Sequence, residues 1–203
     1  APSNMNHRNR AVAAIFFGAA LVVRLYLPNP SALTLDEATS VLIAKEPLAA
    51  LVRALARDGN PPAYYLLLLY WLRLFGDAEF SVRAVSILFG AALPPLLYAV
   101  GRRCFGSATG AIAAAFACVA PLHVFYSQQV RMYAMLPVMS LAWFWTLVRV
   151  VDQRSILAHI LFPLSTVGIL YAHNYGLFLV AAAPVAWWVL TADLGGGAKP
   201  VPH

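Results

Sequence analysis

Apolar residues run through this chain in long blocks, broken at a few points by short polar clusters. The blocks cover 11–27, 84–101, 108–126, 133–151, 156–172 and 176–192. Each approaches the roughly 20 residues that an α-helix needs to cross the hydrocarbon of a bilayer. Leu, Ala and Val dominate them, with Pro and Gly inside, and polar residues do not alternate with apolar ones as barrel strands require. The pattern predicts an all-α polytopic bundle of about six spans. A seventh apolar stretch, PPAYYLLLLYWLRLF at 61–75, is only fifteen residues long and opens on a Pro pair. Its rings Tyr64, Tyr65, Tyr70 and Trp71 favour the membrane interface, which predicts a helix lying in or dipping into the surface.

The segment between the first block and 61–75 has its own periodicity. A helix is expected over 36–57, interrupted at Glu46-Pro47 because Pro removes a donor and crowds the preceding turn. After the break, Leu48, Leu51, Val52 and Leu55 recur at i, i+3, i+4 and i+7 with Arg53 and Arg57 off the stripe, the pattern of an amphipathic helix on a bilayer. Asp58-Gly59-Asn60-Pro61-Pro62 ends it in a turn. The chain therefore divides into an N-terminal stretch 1–10, an organised loop 28–83, a helical bundle 84–192 and a flexible tail 193–203, all one membrane domain.

Composition agrees. The chain is 62% hydrophobic and 11% charged, and its mean hydropathy is +0.73, whereas soluble domains average about 45–50% apolar and about 25% charged. The formal charge is +6, but no basic run interleaved with aromatics suggests nucleic acid. Two cysteines, Cys104 and Cys118, make neither a disulfide framework nor a zinc site. Only Lys45 and Lys199 among the fourteen basic residues are Lys, a bias that fits a GC-rich bacterial genome.

Charge placement then orients the spans. The start, APSNMNHRNR, reads as a short scar before a native Met5, and the apolar run behind Arg8 and Arg10 has no small-residue cleavage site after it. With 61–75 not spanning, Arg8, Arg10, Arg102-Arg103 and the cluster 149–154 share the cytoplasmic side, as the positive-inside rule demands. Residues 28–83, 127–132 and 173–175 then face outward.

On that outer face gather polar groups that an apolar chain has no cheap reason to keep: Asp36 and Glu37, Asn60, Arg83, the run YSQQVRMY at 126–133, and HNY at 173–175. Carboxylates, Arg residues, a His and amides on one face suit a phosphate-bearing substrate, with Arg gripping phosphate and a carboxylate taking a proton from an attacking hydroxyl. Plainer roles stand beside this. Asp36 is also placed to cap the following helix near Thr34, Arg83 and Arg131 to snorkel to headgroups, and His173 to be a satisfied residue at a helix end.

The order LDEATS, NPPAYYLLLLYWLRLFGDAEFSVRAVSILFG, GRRCFG, FYSQQVRMYA, YAHNYGLF resembles the N-terminal half of bacterial GT-C fold glycosyltransferases, relatives of the protein O-mannosyltransferases and of the aminoarabinose transferases that modify lipid A. The resemblance runs over roughly residues 8–190. It implies a transferase moving a sugar from a polyprenyl-phosphate donor to a glycan, lipid or protein acceptor on the outer face of a bacterial inner membrane. Asp36 would be the general base, Glu37 its support, and Arg83 and Arg131 the groups that hold the donor phosphate. Asn60, Tyr126, Gln128, Gln129, Tyr133, His173 and Asn174 would complete the pocket.

Two departures weaken a divalent-metal site. Asn60 stands where relatives often carry His, and Gln129 where they often carry an acid, which leaves Asp36, Glu37 and His173 as metal candidates. Relatives also usually run to more than twice this length, so a truncated module, a homo-oligomer, a chain working with a partner subunit, and a non-catalytic subunit binding polyprenyl phosphate all remain open. A small transporter fits less well, since no internal repeat is visible.

Overall fold

A computed structural model describes residues 2–26, 32–153 and 156–195. Residues 28–31, Arg154 and the tail 196–203, named above in the outer loop, the basic cluster and the flexible end, lie outside the described residues. Every described element is a helix, ten in all: α1 (Pro2–Tyr26), α2 (Leu35–Lys45), α3 (Leu48–Asp58), α4 (Ala63–Phe75), α5 (Glu79–Phe105), α6 (Ser107–Val119), α7 (Pro121–Ser127), α8 (Met135–Gln153), α9 (Ile156–Ala172) and α10 (Gly176–Gly195). The helical membrane bundle expected from the apolar blocks is the architecture found.

Two helices, His7–Tyr26 of α1 and the 27-residue α5, are long and apolar enough to cross a membrane by themselves. The expected span 108–126 is instead a bent pair, α6 and α7, meeting at 59°. Pro121 causes the break: it has no amide proton to continue the ladder and sits at the first position of α7, where its fixed φ suits a new helix. The apolar parts of α8, α9 and α10, Met135–Val151, Ile156–Ala172 and Gly176–Ala192, are each 17 residues long. That length is the lower edge of what spans a bilayer. Among the described residues, then, two helices, or three spans counting the bent pair, meet the stricter measure of length and composition, where the sequence pattern predicts six.

Helix α5 is the centre, packing against α1, α4, α6, α7 and α8. Its union with α6 is backbone to backbone: a Cβ on Gly101 would lie 2.8 Å from the Gly110 Cα, so only glycine permits the approach. Small residues at such crossings let helices gain dispersion contact where water offers no hydrophobic drive. On the other flank Trp143 Nε1 donates to Thr166 Oγ1 at 2.9 Å, and the Thr146 and Ser165 hydroxyls meet at 2.9 Å, tying α8 to α9.

The organised loop forms a packed unit. Pro47 separates α2 from α3 as expected, and Thr34 caps α2. The α3 stripe is only half committed to protein: Leu51 and Leu55 are buried while Leu48 and Val52 stay exposed. Helix α4 departs further from expectation. Tyr64, Tyr65, Leu68, Leu69 and Leu72 are all buried, forming one core with Leu51, Leu55, Val82, Val85, Val130 and Met135. Its aromatic face is turned inward as protein core and not given over to the interface, although Tyr70, Leu74 and Phe75 on the other side are exposed. Full burial of each such Leu contributes about 1.5–3 kcal/mol, and thirteen residues are too few to span.

Candidate active site

The adjacent acids of LDEATS occupy the second and third positions of α2, and about 100° of helical rotation per residue sends them apart. Glu37 turns inward and is 1% exposed. Its Oε2 accepts from the Thr34 amide and hydroxyl, both at 2.9 Å, while the Thr34 hydroxyl receives the Glu37 amide at 3.4 Å. The result is a capping box, which satisfies orphan donors at both ends of the first turn. Its other oxygen, Oε1, accepts from Arg83 Nη1 at 3.2 Å and from the Val130 amide at 3.0 Å. Asp36 is therefore not the cap; Thr34 is, with Glu37 answering it.

Glu37 and Arg83 together hold the irregular backbone that follows α7. Arg83 Nη1 also donates to the Gln128 carbonyl at 2.7 Å, and Nη2 lies 3.4 Å from Glu79 Oε1. One turn further along α5, Ser86 Oγ donates to the Arg131 carbonyl at 3.2 Å and meets the Tyr64 hydroxyl at 2.8 Å. Backbone groups outside a helix must find partners when buried. Here side chains of α2 and α5 supply them for residues 128, 130 and 131.

That anchoring presents Arg131 on the face where Asp36 stands. Asp36 is exposed, and among the described residues no ion pair or side-chain hydrogen bond occupies its carboxylate. Arg131 Nη1 donates to Ser40 Oγ, one turn beyond Asp36, at 3.4 Å. Its guanidinium carbon lies 5.7 Å from the centre of the Tyr133 ring, and Asp36 is close enough for its charge to favour that of Arg131. Tyr133 touches Tyr126 at 5.1 Å and His173 at 6.4 Å between ring centres. Partial burial, and then the positive charge of Arg131, hold His173 below the usual imidazole pKa. Its Nδ1 accepts the Tyr175 amide at 3.1 Å, so the ring is held in place.

Five of the expected residues (Asp36, Arg131, Tyr133, Tyr126 and His173) thus form one open face. Glu37, Arg83 and Gln128 lie beneath it, where Gln128 Nε2 donates to the Arg24 carbonyl at 2.8 Å. Gln129 contributes its carbonyl to the Arg131 amide at 2.8 Å. Asn60 and Asn174 belong to a neighbouring apolar cavity of about 570 Å³ between α3, α4 and α9, where Asn174 Nδ2 donates to the Gly59 carbonyl at 3.1 Å. The metal candidates do not come together: among the described residues no three His, Cys, Asp or Glu side chains form a group able to hold an ion. Glu37 is already engaged with Thr34, Arg83 and Val130, turned about 100° around α2 from Asp36. Two residues that sequence reasoning passed over, Ser86 and Arg24, are fully buried here. Arg24 had a signal, since an ionisable residue inside an apolar span rarely lacks a purpose.

The arrangement offers an exposed carboxylate near a fixed cation and an imidazole held below its usual pKa, with aromatic rings as walls. Such a face can accept a proton and stabilise a departing anion. No curated protein and no solved structure matches the chain. The family model described as dolichyl-phosphate-mannose-protein mannosyltransferase matches residues 59–196, a region that begins after Asp36 and Glu37 and contains Arg83, Arg131 and His173. Over two thirds of its length, then, this membrane protein is built on that family's pattern, and it belongs to the dolichyl-phosphate-mannose-protein mannosyltransferase family, glycosyltransferases of mannosyltransferase type.

Proposed function

We propose that the protein transfers a sugar from a polyprenyl-phosphate-linked donor to an acceptor hydroxyl, with Asp36 as the general base. The observation that carries this reading is the division of labour in the acidic pair: Glu37 is consumed by four inward hydrogen bonds, and Asp36 stands exposed beside Arg131. In the reaction the acceptor O–H proton passes to the Asp36 carboxylate. The acceptor oxygen bonds to the anomeric carbon as the bond from that carbon to the phosphate oxygen breaks. The electron pair leaves on the polyprenyl phosphate, where Arg131 stabilises the growing charge. Glu37 and Arg83 act from beneath, keeping the 128–131 backbone and hence Arg131 in place. Arg83 also lines a cavity with Arg24 and Gln128, and a donor phosphate entering there would meet it.

The test is Asp36→Asn in membranes supplied with a radiolabelled polyprenyl-phosphate sugar and an acceptor. Asn is nearly isosteric, and Thr34 rather than Asp36 caps α2, so the fold should be untouched. Loss of a general base costs about 10²–10⁴-fold in rate, with donor binding retained. A variant that transfers within a few-fold of the parent would remove Asp36 from the chemistry. It would favour the alternative of a subunit that binds the lipid without turning it over.

A further inference from the structure

Ser40, Ser127, Ser140 and Ser165 each return the hydroxyl to their own helix, donating to carbonyls three or four residues back at 2.7–2.9 Å. Such local bonds are the usual choice for a serine inside a helix. Ser86, in the interior of α5 and fully buried, does otherwise. Its Oγ donates across to the Arg131 carbonyl at 3.2 Å and meets the Tyr64 hydroxyl at 2.8 Å. Counting protons gives that second contact a direction. A serine has one O–H, and the Arg131 carbonyl takes it, so the Ser86 oxygen receives the proton of Tyr64. The chain runs from Tyr64 O–H to Ser86 O–H to Arg131 C=O, each bond polarising the next. Tyr64 is as fully enclosed as Ser86. Phe at 64 and Ala at 86 would fill nearly the same volume without burying a hydroxyl, so packing alone does not call for the two oxygens.

The group they reach lies beyond the grip of the inner ion pair. Glu37 and Arg83 hold the Val130 amide and the Gln128 carbonyl. The Arg131 amide donates to the Gln129 carbonyl at 2.8 Å, and the Arg131 carbonyl falls to Ser86. With the peptides on both sides of its Cα fixed, Arg131 has a set direction for its side chain. The guanidinium then reaches Ser40 Oγ and the Tyr133 ring.

We propose that Tyr64 and Ser86 are positioning residues for Arg131, acting in series from the core upon its carbonyl. Their effect on sugar transfer rests on the role proposed for Arg131 in the reaction. Their effect on where Arg131 stands does not.

The experiment reads the two effects separately. The full chain, carrying isotope-labelled histidine, is titrated by NMR in detergent, because the charge of Arg131 helps to hold the His173 pKa down. Ser86→Ala and Tyr64→Phe should each raise the His173 midpoint, in the direction of Arg131→Gln. The double variant should go no further than Ser86→Ala, since residues acting in series do not add. Tyr98→Phe, which removes a buried hydroxyl bonded to Asn9, should leave the midpoint where it is. An unmoved His173 in folded Ser86→Ala overturns the proposal, and so does an equal rise in Tyr98→Phe. Should Ser86→Ala not fold, Tyr64→Phe decides, and an unmoved His173 there overturns it. Transfer assays follow on the same variants. Tyr64→Phe should lower kcat about tenfold, short of the roughly 10²-fold that a 1 Å misplacement costs, with KM for a polyprenyl-phosphate sugar changed less. A His173 midpoint that moves while kcat holds supports the positioning pair and removes Arg131 from the chemistry.

Discussion

Two acid–arginine pairs start from neighbouring residues of α2 and end in opposite surroundings. Glu37 and Arg83 meet where both side chains are almost fully enclosed. Asp36 is exposed, and Arg131, half-buried against Ser40 one turn further along α2, lies near enough to feel its charge. The inner pair is tolerable only because Thr34, Val130 and the Gln128 carbonyl take up the hydrogen-bonding capacity that burial strips of water. The outer pair has solvent for that purpose and keeps its acid uncommitted. Fixing a charge and keeping a charge available are incompatible tasks for one carboxylate, so the chain assigns one to each.

The sharpest way to break this comparison is to remove the inner acid. Glu37→Ala leaves Arg83 buried without its enclosed carboxylate partner, and breaking such a pair costs about 3–5 kcal/mol. Thermal unfolding in detergent should show that loss, while Asp36→Ala, a change at an exposed position, stays within about 0.5 kcal/mol. Equal destabilisation by the two would mean that both acids are structural.

A smaller effect sharpens the outer half. His173 should titrate below the usual 6.5, held down by partial burial and then by Arg131. Its charged form is disfavoured in the folded state, so the unfolded chain binds the proton more readily below about pH 6.5, and the contribution to stability falls as pH falls through that range. Arg131→Gln should move the imidazole resonance of His173 upward in an NMR titration. An unchanged value would separate Arg131 from His173 and dissolve the shared face.

The smallest effect belongs to a third pair, wholly on the surface. Lys45 donates to Asp77 and lowers its carboxyl pKa, yet both are exposed. Lys45→Gln should leave the melting temperature unchanged within scatter at neutral pH. Any difference from the parent should vanish as pH drops below 3.8 and Asp77 takes up its proton. A loss comparable to that of Glu37→Ala would show that burial is not what separates these pairs.

Much of this was legible along the chain. Pro47 marked the break between α2 and α3, the apolar blocks marked the bundle, and the presence of two acids in one turn marked the candidate site. Which acid would be buried was not legible, because the decision is made by residues 128–131, far away in sequence and irregular in backbone. The aromatic face of α4 looked interfacial for a similar reason. Tyr64 and Tyr65 suit a headgroup layer and a protein core equally well, and only the packing of Leu51, Val82 and Val130 against them settles which. The bend at Pro121 was visible as a proline. Its consequence was not, because proline is tolerated within α5 at Pro94 and Pro95 and within α9 at Pro163.

The hydrogen bond from the Val130 amide to Glu37 joins residues 93 positions apart. At bacterial and eukaryotic synthesis rates of about 5–20 residues per second, roughly 5–20 s separate the appearance of the carboxylate from that of its partner. Through that interval the Glu37 carboxylate lacks one of its four hydrogen-bond partners, which comes only after α5, α6 and α7 have been made. The site is therefore assembled in stages: the Thr34 cap on Glu37 is local, Arg83 follows, and the Val130 amide that completes the carboxylate's partners comes only with the loop.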